Sequence, residues 1–219
     1  MGRQRYQNDL GRLNDELTGL HRMAATSLRR SVQALRLGDK HAASELTVAD
    51  EDIDARQMAI ENRALRIIAL QQPVGRDLRL ILMTVSVAGE LERIGDYAKQ
   101  IARRVRRLTQ TDPALAAPPE LTALGEIALR MVDGAIVAFL TDDVATARAL
   151  AAEDDAADAA QDAVGRAVRA AVLGDARLFD AAENLLMIAH ALERAADRAT
   201  NIAERVVYLA TAENEALNP

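Results

Sequence analysis

Half of this 219-residue chain is hydrophobic, yet aromatics make up only 2%, so Ala, Leu, Val and Ile must fill any core, and Ala and Leu favour helix. The absence of cysteine excludes disulfides, thiolate zinc sites and cysteine nucleophiles, and a net charge of −6 without aromatic platforms argues against general nucleic-acid binding. No apolar run reaches about 18 residues and Met1–Tyr6 carries no apolar signal core, so neither a membrane span nor secretion is expected.

The pattern predicts an all-α fold of six long helices. The first runs from about residue 5 to Leu37 and stops at Gly38, a residue suited to the left-handed position that ends helices. Asp39 caps a second helix that continues to Gln71, where Pro73-Val74-Gly75 breaks it. A third helix covers Arg76 to Leu108. The stretch Thr111-Asp112-Pro113 with Pro118-Pro119 marks the boundary between two halves, residues 1–112 and 113–219. The fourth, fifth and sixth helices cover Pro119 to Leu140, Asp143 to Leu173 and Asp175 to Ala212. Helices joined by short turns must lie antiparallel, so each half is expected to form a three-helix bundle. Leu91, Ile94, Ala98, Ile101, Val105 and Leu108 recur at steps of three and four, as do Leu192, Ala195, Ala199, Ile202, Val206 and Leu209; these are bundle seams. No helix face carries an obvious apolar excess.

The halves repeat one another. Leu17-Thr18-Gly19-Leu20 matches Leu121-Thr122-Ala123-Leu124, an offset of 104 that also pairs Asp39 with Asp143, Asp50 with Asp154, Asp54 with Asp158 and Gln57 with Gln161. Further on, Leu91-Glu92-Arg93-Ile94-Gly95-Asp96 matches Leu192-Glu193-Arg194-Ala195-Ala196-Asp197 at an offset of 101. The three missing residues fall in the turn after the second helix of each half, where Gln71–Gly75 faces the shorter Leu173-Gly174-Asp175.

Residues four apart on a helix point the same way, so Glu92/Asp96 form a carboxylate pair, as do Asp50/Asp54, Asp154/Asp158 and Glu193/Asp197. Lying off the apolar stripe, they are expected on an accessible side of the bundle. Like charges at this spacing disfavour the helix by a few tenths of a kcal/mol, so water, an arginine or a cation should offset them. Oxygen-only sets suit hard cations and can also hold iron. A solvated face paired with Arg93 and Arg194 is the plain alternative, since chance alone gives roughly five such pairs in a chain this acidic; four pairs at matched places in both repeats are what argue for a site. A ferritin-like di-iron centre would want Glu-x-x-His, whereas His190 precedes Glu193 in the reverse order. His21 and His41 have no repeat partner and read as surface or satisfied histidines. No catalytic constellation is visible, and no enzyme is expected. The basic run Arg103–Arg107 suits a helix C-terminus, with contact to an acidic partner or an anionic membrane surface as the alternative.

Gln71-Gln72-Pro73-Val74-Gly75-Arg76-Asp77-Leu78-Arg79, the motif Leu91–Asp96, its second copy with Asn201-Ile202-Ala203-Glu204, and the acidic segment Asp50–Asp54 together resemble the PhoU family of phosphate-transport accessory and regulatory proteins over nearly the whole chain. The resemblance implies two tandem antiparallel three-helix repeats, each with a Glu/Asp-x-x-x-Asp motif that binds metal: Asp50, Asp54, Glu92 and Asp96 at one site, and Asp154, Asp158, Glu193, Asp197 and Asn201 at the other. Iron or zinc would be the metal, with magnesium or manganese as further candidates. It also implies a negative regulator of phosphate uptake and of the phosphate-starvation response. Such a protein joins a phosphate ABC transporter to a sensor histidine kinase, in the cytoplasm against the inner face of the membrane, and can form a homodimer. Asp77, Arg79, Arg93 and Arg194 are the candidate partner-binding residues. The competing readings are a metal-storage or redox carboxylate bundle and a purely structural helical module. Two departures stand out: Gln100 occupies the place of Asn201, and Arg103 that of Glu204.

Overall fold

The computed structural model describes residues 2–46, 51–213 and 215–217. The described elements are α1 (Gly2–Leu37), α2 (Lys40–Leu46), α3 (Glu51–Gln71), α4 (Gly75–Leu108), α5 (Pro119–Thr141), α6 (Val144–Gly174), a 3₁₀ turn (Ala176–Leu178) and α7 (Phe179–Thr211). No strand occurs among the described residues. Among the described residues the second predicted helix is seen as two stretches, α2 and α3, so that seven helices are described where six were expected; residues 47–50 between them lie outside the described residues. The last helix also starts later than expected. Asp175 accepts from the Arg177 N–H and grips its guanidinium, which favours a 3₁₀ turn before α7 begins at Phe179.

Matched turns explain matched helix ends. After α1, Gly38 takes φ +61° and the Asp39 N–H reaches back to the Ala34 carbonyl at 3.0 Å. Asp39 Oδ1 then accepts from the N–H groups of His41 and Ala42. In the second half Asp142 takes the left-handed position at φ 54°, the Asp143 N–H bonds to Ala138, and Asp143 accepts from Thr146. Asp142 also pairs with Arg76 at 2.7 Å, so this turn is tied to the start of α4 in the other half.

α1 packs on α2, α3 and α4, and α5 and α6 pack on α7. The halves join through α4 against α7 and α1 against α5. Both seams are antiparallel. Along α4, Ser86, Glu90, Tyr97 and Arg104 meet Arg205, Arg198, Arg194 and Asn184 in falling order on α7. Between α1 and α5, His21 meets Asp133 while Val32 lies against Gly125. Each seam thus crosses near residues equivalent under the repeat, as a pseudo-twofold relation requires. One continuous core fills both halves. α7 supplies an Ala-rich set to it, including Ala182, Ala189, Ala195, Ala196, Ala199 and Ala203, small side chains that let neighbours approach from three sides. The predicted seam residues are buried, Leu108 only in part. No described helix is long and apolar enough to cross a membrane.

An apolar face does exist, contrary to the sequence expectation. Val172, Leu173, Phe179 and Leu186 line a groove of ≈ 330 Å³ between the end of α6 and the start of α7, with Leu173 89% and Phe179 63% exposed. Helical periodicity within one element could not reveal it, because two helices contribute.

Candidate functional site

The two acidic motifs meet where α4 crosses α7. Arg194, inside the second motif, donates through Nε to the Tyr97 hydroxyl at 3.3 Å, one residue past Asp96 of the first. Arg198 stands 3.4 Å from Glu90 and 3.9 Å from Asp197, and Arg194 lies 3.9 Å from Asp197 as well. Two arginines therefore sit between the acidic groups of the two halves. The sequence marks Arg194 as an ion-pair partner but does not single out Arg198, Glu90 or Tyr97. The one available signal was a departure between the repeats, because Arg198 stands where the first half has Tyr97.

The second-half set is more buried than the sequence suggested. Asp154 of α6 is 3% exposed, which corrects the expectation that all the acids lie on an accessible side; Asp158 is exposed, and Glu193, Asp197 and Asn201 are half-buried. α6 is Ala-rich around Asp154, and the buried Ala157 leaves little bulk to hold α6 and its acids away from α7. Burial, then the charges of Asp197 and Asp158, push Glu193 up to about 7. Burial and Asp154 raise Asp197, opposed by Arg198 and Arg194. Partial desolvation by its neighbours, exposed though the residue is, and the charges of Asp154, Asp155 and Asp162 raise Asp158. Glu193 Oε2 is buried and accepts no hydrogen bond; His190 Nδ1 approaches it at 3.4 Å without bonding geometry.

In the first half, Asp50 lies outside the described residues. Asp54 is exposed on α3, while Glu92 and Asp96 are half-buried on α4. Arg93 is exposed and lies 3.9 Å from Glu92. Glu92 borders an open cleft of ≈ 400 Å³ with Gln57, Tyr97, Arg194 and Arg198. Of the other candidates, Asp77 is exposed in the first turn of α4 and faces Tyr6, whose hydroxyl burial and Asp77 push up to about 12. Arg79 is half-buried, with an Nε that finds no partner among the described residues. His21 is satisfied by Asp133 at 3.0 Å, and His41 lies in the open 3.5 Å from Glu45. Among the described residues, no three acidic, histidine or cysteine side chains are gathered tightly enough to hold a metal as placed.

A family model described as the PhoU domain matches the chain twice, at residues 17–105 and 121–206. A relative from Caulobacter vibrioides, named phosphate-specific transport system accessory protein PhoU homolog, is 32% identical over 208 residues, covering 95% of this chain and 90% of its own length. One of the same name from Clostridium acetobutylicum is 30% identical over 219 residues, covering 100% of both. Among solved structures, PhoU from Pseudomonas aeruginosa superposes with a TM-score of 0.89 at 28% identity, covering 95% of this chain and 100% of that one. The phosphate transport system regulatory protein PhoU from Streptococcus pneumoniae also gives 0.89, at 30% identity over 96% and 99%.

Proposed function

The chain belongs to the PhoU family, and from that premise we propose that it is a non-enzymatic accessory regulator of phosphate transport, restraining uptake and the phosphate-starvation response by bridging a phosphate ABC transporter and a sensor histidine kinase. The likeness to transport-system accessory proteins over the whole length carries this reading. Two similar helical halves with charged faces suit a bridging role, and the groove at Leu173 and Phe179 adds the exposed apolar surface that a protein contact uses. The test is a crosslinked pull-down of the tagged protein from phosphate-replete cells, membranes included, with partners identified by mass spectrometry. Transporter subunits or a histidine kinase among the partners support the bridge; recovery of neither, with repression of starvation phosphatase unchanged in a deletion strain, overturns it.

The acidic motifs are proposed as the metal sites of this regulator. The unbonded Glu193 Oε2 and the raised Glu193, Asp197 and Asp158 describe a cluster whose negative charge Arg194 and Arg198 only partly offset, and its oxygen donors fit a hard cation or iron. Asp154, Asp158, Glu193, Asp197 and Asn201 would hold it, their side chains drawing together on binding. Asp50, Asp54, Glu92 and Asp96 would form the second site. Metal content of the purified protein should fall on Glu193→Ala with Asp197→Ala, and separately on Glu92→Ala with Asp96→Ala, while helix content stays. Unchanged metal stoichiometry in either pair removes that site.

A further inference from the structure

The N-terminal part of α1 has no counterpart in the second half. α5 begins at Pro119, which the repeat aligns with Asp15, so α1 runs on by more than three turns beyond the shared unit. This extension lies along the last two turns of α3, and a cleft of ≈ 290 Å³ opens between them. Arg5 and Arg12 line it from α1, and Arg63 and Arg66 from α3, with Asp9 the one acid in the lining.

Charge does not balance there. Glu16 takes Arg63 through both Nε, at 2.7 Å, and Nη2, which locks that guanidinium in place. Arg5, Arg12 and Arg66 make no ion pair among the described residues. Setting Glu16 and Asp9 against the four arginines leaves two positive charges unmatched, in a chain whose net charge is −6. The helix dipole does not account for Arg5, which lies in the first turns of α1, the end where a cation is disfavoured. Ile67 and Leu70 add apolar groups to the lining, suited to arginine stems, and the amides of Asn8 and Gln71 add hydrogen-bonding groups.

We propose that this cleft is a binding site for a dianionic phosphoryl group, held by Arg5, Arg12 and Arg66. Guanidinium forks match tetrahedral phosphate oxygens, and a phosphate monoester, with its second ionisation near 6, carries close to two negative charges at neutral pH, while free inorganic phosphate is partly dianionic there. The site shares no residue with the acidic motifs, so it stands whether or not those take metal. Free inorganic phosphate and a phosphate monoester present the same group.

The full-length protein should be titrated calorimetrically with inorganic phosphate and, separately, with AMP, both for the wild type and for Arg12→Ala with Arg66→Ala. Both residues are exposed, so circular dichroism should report an unchanged helical fold in the variant. The expected result is saturable millimolar-or-tighter binding that weakens about tenfold per guanidinium removed and falls with added salt. Binding of phosphate alone assigns the free anion, and tighter binding of AMP assigns the monoester. If neither binds the wild type, or if the folded variant binds as the wild type does, the site is overturned.

Discussion

Gly95 of α4 lies so close to Ile53 of α3 that a Cβ on the glycine would stand 2.8 Å from Ile53 Cδ1. The repeat places Ala196 and Ala157 at these positions in the second half, both buried. The bulk has been shared out differently in the two halves: none plus a large side chain in one, and two methyl groups in the other.

Gly95→Ala should therefore destabilise the chain even though alanine is the better helix former. Overpacking against Ile53 costs about 1–3 kcal/mol, against a propensity gain of up to about 1. A net loss of about 1 kcal/mol is expected by chemical denaturation. In an Ile53→Ala background the same substitution should become stabilising. A neutral or stabilising Gly95→Ala in the wild-type background would show that Ile53 moves aside at no cost.

Glu90 and Arg198 tie the halves together through a mostly buried pair, with side-chain exposures of 16% and 22%. Arg198→Met keeps much of the stem packing but strands the Glu90 carboxylate, at an expected cost of about 1–3 kcal/mol. Adding Glu90→Gln should recover part of that loss. A double-mutant cycle with no coupling energy would reduce the contact to a bystander.

His21 sits between α1 and α5 with its ring against Asp133. Burial lowers its pKa below 6.5, outweighing Asp133, which raises it; Arg29 and Arg22 lower it further. A base with a depressed folded value binds fewer protons than the unfolded chain in the window just below 6.5. The stability present above that window is therefore lost as pH falls through it. His21→Gln removes the titration and keeps a donor for Asp133, so the variant should lose less stability between pH 6.5 and 5 than the wild type. An identical acid profile for the two would show that the histidine does not contribute.

Most of the fold could be read because each helix announces its own ends. Gly38-Asp39 and Asp142-Asp143 are local turn chemistry, and the seam residues of α4 and α7 are a local period. The acidic motifs were legible for the same reason, being i,i+4 pairs within one element. What could not be read depends on register between helices far apart in sequence. Tyr97 meets Arg194, and Glu90 meets Arg198, only because α4 and α7 cross antiparallel at their midpoints. The burial of Asp154 is a property of how closely α6 lies on the molecule, which the pattern of α6 alone does not set. The arginine cleft is not legible in the sequence because Arg5 and Arg66 belong to different helices, brought together by an extension that the repeat does not predict.

Glu193 gives the opposite pH response to His21. Its folded pKa of about 7 lies above the ordinary 4.5, chiefly through burial, with Asp197 on its own helix and Asp158 and Asp154 on α6 adding repulsion that Arg194 partly offsets. Between these values the folded chain holds the extra proton. Stability is therefore full on the acid side, falls as pH rises from about 4.5 to 7, and levels off above. In metal-free protein, Glu193→Gln should flatten this fall. It should leave the variant more stable than the wild type at pH 8 by about 1–2 kcal/mol, a figure reduced from the full shift because the side chain is not sealed from water. Asp197 and Asp158, raised in the same direction, keep a residual slope in the variant. Denaturation with a chelator present, at pH 5 and pH 8, measures the difference. A variant that loses as much stability as the wild type between those two points would mean that Glu193 is ionised and solvated throughout, and would remove the main physical ground for placing a cation at this cluster.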